Sequence, residues 1–134
     1  INTAMPDFVV SRVIEALNDS GKAVRESRIL ILGIAYKEDV DDDRESPSYT
    51  IIDSLEERGA IVSYNDPHVH LIGAGRSSGS AAGRECVPIT SEYDAIVLCT
   101  NHKEYETFDF ESLGVALVDC RDASTKRPNQ YYAA

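Results

Sequence analysis

Leu30-Ile31-Leu32-Gly33-Ile34-Ala35-Tyr36-Lys37-Glu38-Asp39-Val40-Asp41-Asp42-Asp43-Arg44-Glu45-Ser46-Pro47 runs from an apolar strand through an acidic loop into the start of a helix. The apolar run begins at Arg28 and extends to Tyr36 without alternation, the pattern of a central parallel strand covered on both faces. In open α/β sheets a ligand is expected outside the carboxyl end of such a strand. Lys37 and Arg44 stand there as the local cations.

The elements on either side alternate. From Pro47 to Arg58, Tyr49, Ile51, Ile52 and Leu55 give one helix face, with Gly59 as the stop. Ala60 to Tyr64 reads as a second strand closed by Asn65-Asp66-Pro67, so one βαβ unit is expected. Ala95 to Thr100 and Val115 to Asp119 read as further strands, the first preceded by a short helix end at 91–94, with a short helical or irregular turn at 108–113 between the two. The fold expected is α/β: a Rossmann-like, doubly wound, mainly parallel sheet with flanking helices and a leading N-terminal helix. That helix opens at Pro6, with Phe8, Val9, Val13, Ile14 and Leu17 at helical spacing and a stop between Asn18 and Gly21. The organisation expected is a leading helix over 1–24 at the end of an interdomain connection, a domain over 25–124, and a frayed polar tail over 125–134. The glycine- and serine-rich stretch between His68 and Cys86 is expected as a mobile excursion rather than a phosphate loop, because no helix pattern follows it.

Composition narrows the function. The chain has 134 residues, enough for one domain with a proper core, with 43% hydrophobic and 27% charged residues. A net charge of −10 excludes a phosphate-backbone surface, which needs a basic stripe, so no nucleic-acid partner is expected. No apolar run approaches a membrane span and no signal pattern opens the chain, so a cytoplasmic protein without a membrane partner is expected. Cys86, Cys99 and Cys120 form no CxxC pair and no metal-ligand spacing with His68, His70 or His102, and read as small buried hydrophobes in a reducing compartment. The aspartates at 39 and 41–43 lack the glycine and distal Glu of a calcium loop, so no metal site is expected. Ser46 reads as a cap for the helix beginning near Pro47. Asp66 is expected to cap the Pro67 turn, and His102 reads as an unremarkable turn histidine.

A dinucleotide turn carries three glycines, the later two for close approach to pyrophosphate and for helix packing. Here one glycine, Gly33, is followed by Ile34, Ala35, bulky Tyr36 and charged Lys37. NAD binding by this turn is therefore not expected, while nucleotide binding through side chains in the same crevice stays open.

The string 33–37 with Asp39-Val40-Asp41-Asp42 and Arg44-Glu45-Ser46-Pro47 resembles the signature of the C-terminal, UDP-binding domain of the UDP-glucose/GDP-mannose dehydrogenase family. Further matches run along the chain: Met5-Pro6, Val9-Val10, Leu17-Asn18, Gly59-Ala60, Tyr64, Asp66-Pro67, Thr100 with His102, and Asp119 with Arg121. The wording from Tyr36 to Pro47 looks closest to members that oxidise UDP-N-acetylhexosamines.

The resemblance implies an NAD-dependent oxidoreductase of nucleotide-sugar metabolism and polysaccharide biosynthesis. Such an enzyme oxidises the C6 alcohol of a UDP-sugar to a carboxylate, reducing two NAD in succession. It also implies an N-terminal NAD-binding domain, a central region that makes the enzyme a homo-oligomer, and a catalytic cysteine in a GGxCxPKD-like motif, all upstream of Ile1. The chain, which begins without Met, is accordingly expected to be a domain fragment that does not turn over substrate alone.

By the same resemblance Tyr36 and Lys37 match the aromatic-Lys pair that contacts the UDP-sugar. A mobile ammonium suits a diphosphate or sugar oxygen, and a tyrosine adds a flat apolar face with a polar tip. Arg44 matches an arginine that reaches the cofactor across the interdomain cleft, where a guanidinium grips pyrophosphate bidentately; the alternative is a helix-start ion pair with Asp41, Asp42 or Glu45. Arg121 resembles a late substrate-contacting arginine, or else is a surface residue paired with Asp119 or Asp122. The alternative for the whole chain is a free-standing nucleotide-binding or protein-interaction module without redox activity.

Overall fold

The computed structural model describes residues 5–35, 46–73 and 81–134. In chain order the elements are α1 (Met5–Asp19), β1 (Arg28–Leu32), α2 (Pro47–Glu57), β2 (Ile61–Asn65), β3 (Ala95–Leu98), α3 (Lys103–Glu106), α4 (Phe110–Leu113), β4 (Ala116–Asp119) and β5 (Tyr131–Ala133). The five strands form one sheet in the order β2-β1-β3-β4-β5, and every neighbouring pair is parallel. The doubly wound parallel sheet expected from the apolar runs is what the chain forms.

Side chains of successive strand residues go to opposite faces, and here both faces are covered. Ile29, Ile31, Val62, Tyr64, Ala95, Val97, Ala116 and Val118 pack with buried residues of α1 and α2. Leu30, Leu32, Ile96, Leu98 and Leu117 pack with Tyr93, Tyr105, Phe110 and Val115 on the other side, where α3 and α4 lie. This two-sided burial is why β1 reads as an unbroken apolar run.

The buried face of α1 is Val9, Val10, Val13, Ala16 and Leu17, packed on α2, β3 and β4. Phe8 and Ile14, expected on that face, are 53% and 38% exposed. They flank the stripe spaced at 9, 13 and 16–17, and a helix turn of 3.6 residues carries them off it. The helix stops as expected, with Gly21 at φ +73°, its N–H on the Asn18 carbonyl and the Lys22 N–H on the Leu17 carbonyl. α2 begins on Ser46, whose hydroxyl accepts the Ser48 N–H at 3.2 Å, with Pro47 in the first turn.

Three further expectations change. β1 ends at Leu32 rather than Tyr36, because Gly33 turns the backbone to φ +96° and the buried residues 34 and 35 leave the sheet. Residues 91–94 form a turn, not a helix end, in which Asp94 N–H bonds the Arg28 carbonyl and its carboxylate accepts the Arg28 N–H at 2.8 Å. The tail is not frayed: Tyr131–Ala133 is β5, in register with Leu117, Val118 and Asp119, and Tyr132 is buried. Of the excursion between His68 and Cys86, residues 74–80 lie outside the described residues. Its described ends are pinned by the Leu71–Glu85 bridge and by bonds from Ile72 N to Arg84 O and Gly83 N to Ile72 O.

Candidate functional site at the carboxyl edge of the sheet

The chain leaves β1 for β2 on one side and later returns to β3 on the other, so the strand order reverses between β1 and β3. Outside the carboxyl ends of these strands lies the crevice where such sheets take ligands. The turn after β1, residues 33–35, forms its floor, and Tyr36 follows it directly.

Five backbone groups of that turn are held by hydrogen bonds. The Gly33 N–H donates to the Asn65 carbonyl at 2.9 Å, and the Ser48 hydroxyl donates to the Gly33 carbonyl at 2.7 Å. The Ile34 and Ala35 N–H groups both donate to Asp66 Oδ2, at 2.7 and 2.9 Å, and the Thr100 hydroxyl donates to the Ala35 carbonyl at 2.8 Å. Glycine is required at 33 twice over. Its φ is positive, and a Cβ there would lie 2.4 Å from Thr100 Cβ and 2.6 Å from Thr100 N.

Asp66 is the centre of this arrangement. It is fully buried, and besides the two turn amides it accepts the His68 N–H on Oδ1 at 2.8 Å and meets His102 Nε2 at 3.0 Å from Oδ2. Burial works against its charge, but the bond to His102 and the three backbone N–H bonds outweigh that and hold its carboxyl below the ordinary 3.8. The expected cap of the Pro67 turn is present as the His68 N–H bond. The two bonds to the β1 turn and the bond to His102 are additional.

His102 is not an ordinary turn histidine. It is fully buried, its ring 4.6 Å from that of His68 and 5.8 Å from that of Tyr105. The Tyr105 hydroxyl donates to the Asn65 carbonyl and side-chain oxygen, both at 2.8 Å, and burial, with the Asp66 charge second, pushes its phenol up. Asp66 follows β2 and His102 follows β3, the two strands that flank β1, so sheet order brings them together beneath its turn. The Asp66 carboxylate thereby fixes the backbone of the β1 turn.

The same device recurs at β4. Asp119 is fully buried and accepts the N–H groups of Arg121, Ala123 and Ser124 and the hydroxyls of Ser124 and Tyr131, at 2.7–3.1 Å. Burial opposes its charge, yet the Ser124 hydroxyl and the backbone donors keep its carboxyl low. The Tyr131 phenol is pushed up to about 12 by burial and by its bond to Asp119. Arg121 thus leaves β4 on a backbone tied down by Asp119. Its side chain is exposed and has no ion pair or side-chain hydrogen bond among the described residues; Asp122 pairs with Arg127 at 2.7 Å instead.

Of the residues singled out in the sequence, Arg121 therefore stands on the same edge as the turn that precedes Tyr36. Tyr36, Lys37, Arg44 and the aspartates at 39 and 41–43 lie outside the described residues, between Ala35 and Ser46. The turn does not fit a dinucleotide. The Ile34 and Ala35 amides, which in a dinucleotide turn would face a pyrophosphate, are both taken by Asp66, whose charge would repel one.

Residues 30–125 match the UDP-glucose/GDP-mannose dehydrogenase family, UDP binding domain. The chain belongs to this family. Among curated relatives of this UDP-binding domain, a UDP-N-acetyl-D-mannosamine dehydrogenase of Methanococcus maripaludis is 36% identical over 97 residues, covering 71% of this chain and 22% of the relative. A UDP-glucose 6-dehydrogenase of Rhizobium meliloti is 31% identical over 94 residues, covering 70% of this chain and 22% of the relative. Among solved structures, a UDP-D-ManNAc dehydrogenase of Pyrococcus horikoshii superposes with a TM-score of 0.79 at 26% identity, over 98% of this chain and 31% of that one. The chain thus spans roughly a quarter of the length of the curated relatives it matches. No helix among the described residues is long and apolar enough to cross a membrane.

Proposed function

We propose that this chain is the UDP-sugar-binding domain of an NAD-dependent nucleotide-sugar 6-dehydrogenase, which oxidises the C6 alcohol of a UDP-hexose or UDP-N-acetylhexosamine to a carboxylate. The observation that carries this reading is the match of residues 30–125 to the family's UDP-binding domain. The names of the relatives, dehydrogenases of UDP-glucose and of UDP-N-acetyl-D-mannosamine, support the substrate class.

In this reading Tyr36, Lys37 and Arg121 contact the UDP-sugar. Asp66, Thr100 and Ser48 hold residues 33–35, which precede Tyr36 and Lys37 in the sequence, and Asp119 holds the backbone on which Arg121 stands. Preorganisation of this kind reduces the ordering cost of binding a dianion. NAD, when bound, accepts the electrons of the oxidation. It is held mainly by a domain outside these residues, with Arg44 reaching it from this side. The segment over 1–24 connects to that domain, the intact protein is a cytoplasmic homo-oligomer, and the chain alone binds UDP without turning substrate over.

The test is steady-state kinetics of the intact protein carrying Lys37→Ala and Arg44→Ala. The wild type should reduce two NAD per sugar with formation of a uronic acid. The variant should lose about 2–5 kcal/mol of transition-state stabilisation in kcat/KM, the cost of leaving ligand charges unpaired. Wild-type kinetics in the variant would remove the site assignment.

A further inference from the structure

Cys99 and Cys120 follow β3 and β4, which pair in parallel with Val97 opposite Val118 and Leu98 opposite Asp119. One further step of that register sets Cys99 opposite Cys120. The Cys120 N–H still donates to the Leu98 carbonyl at 3.0 Å, so the pairing persists beyond the strand ends. Both side chains lie on one face, because each is two residues past a valine of the cluster beneath α1 and α2. Cys99 is buried in that cluster and half-buried Cys120 packs against it.

The continued register sets the two thiols side by side just past the paired strand ends. Neighbouring strands run about 4.8 Å apart, inside the 4.4–6.8 Å range of Cα separations that a disulfide spans. The neighbouring Cys120 thiol, then the Ser48 hydroxyl and the Arg121 charge, lower the Cys99 thiol against its burial, while Cys99 and burial push the Cys120 thiol up. Cys86 has a different setting: its Sγ accepts the Asp66 N–H at 3.4 Å.

We propose that Cys99 and Cys120 form a reversible dithiol site that closes to a disulfide when the surrounding pool of small-molecule disulfide, of the glutathione class, rises. A thiolate of the pair attacks one sulfur of the oxidant, whose S–S bond breaks and releases one small thiolate. The second protein thiol loses its proton to solvent and attacks the protein sulfur of the mixed disulfide, expelling the second small thiolate. In balance, two protein thiols and one small disulfide give one protein disulfide and two small thiols, with two electrons passed to the oxidant. Within a reducing compartment such bonds are transient and regulatory rather than structural. This one would tie together the loops carrying Thr100 and Arg121, at the ligand-bearing edge.

The experiment equilibrates the folded protein in buffers of falling reduced-to-oxidised glutathione ratio, quenches with acid, alkylates free thiols and maps peptides by mass spectrometry. The expected result is a peptide pair joined through Cys99 and Cys120. It should grow as the ratio falls and vanish on return to reducing buffer, with Cys86 outside the cross-link. In Cys99→Ser the half-buried Cys120 should accumulate a glutathione adduct several-fold above wild type, because no second thiol resolves it, whereas in Cys120→Ser the buried Cys99 should accumulate far less. Wild-type protein in which Cys99 and Cys120 stay alkylatable, or carry separate adducts with no joined peptide, overturns the proposal. The readout is the covalent bond, so it stands or falls independently of the UDP reading.

Discussion

Replacing Asp66 by asparagine tests the organisation of the ligand edge at its centre. The carboxylate takes Ile34 N, Ala35 N and His102 Nε2 on Oδ2 and His68 N on Oδ1. An asparagine has one oxygen to offer. Turned toward the β1 turn, it sets its NH2 against the His68 N–H. Turned the other way, it leaves the Ile34 and Ala35 amides facing a donor. The better orientation strands one buried donor, at about 1–3 kcal/mol, and turns the remaining charge-assisted bonds into neutral ones, at about 1 kcal/mol more. The expected loss is about 2–4 kcal/mol of a total stability on the order of 5–15 kcal/mol. Urea denaturation read by circular dichroism measures it, with an unchanged m-value showing that the two end states are preserved.

The pH dependence supplies a second reading of the same substitution. The folded carboxyl lies below its ordinary 3.8, so its stabilisation is fully present above that value and is lost as pH falls through the folded value. The gap between wild type and Asp66→Asn should therefore be constant between about pH 7 and about pH 5 and shrink only in stronger acid. A loss within about 0.5 kcal/mol, the range of an ordinary surface change, would refute the picture of Asp66 as the anchor of the turn. So would a gap that widens in acid.

Two further outcomes follow from the same edge. Gly33→Ala should cost about 2–5 kcal/mol, the sum of a left-handed backbone term and overpacking against Thr100, whereas Gly21→Ala, equally left-handed but with open space around it, should cost only about 1–2 kcal/mol. Equal losses in thermal or urea unfolding would show that the approach of Thr100 does not matter. Arg121→Ala should leave stability within about 0.5 kcal/mol but weaken UDP affinity about 10- to 100-fold, as expected for loss of a hydrogen bond to a charged group. A variant with unchanged UDP affinity in calorimetry would return Arg121 to the ordinary surface.

Much of the fold is legible locally. The unbroken apolar run of β1 announces a strand covered on both faces, Ser46-Pro47 and Gly59 bracket α2, and the single glycine at 33 argues against a dinucleotide turn before any contact is known. The site is less legible because its parts are joined by sheet order, which short-range pattern does not encode. Asp66 and His102 are 36 residues apart and meet because β2 and β3 both flank β1. A polar residue shortly after each of two strands was the available signal, but its meaning depends on which strands are neighbours. The tail shows the same limit. Tyr131 and Tyr132 stand among polar residues, and only the open edge of β4 makes a strand of them. At α1 the reverse occurs, where apolar Phe8 and Ile14 suggest a broader buried face than the sheet covers.

The most direct measurement of the central claim is isothermal calorimetry of this chain titrated separately with UDP and with NAD. The account predicts a saturable heat with UDP and none with NAD, because the β1 turn has already committed its two amides to Asp66. A saturable heat with NAD, or none with UDP, would contradict it.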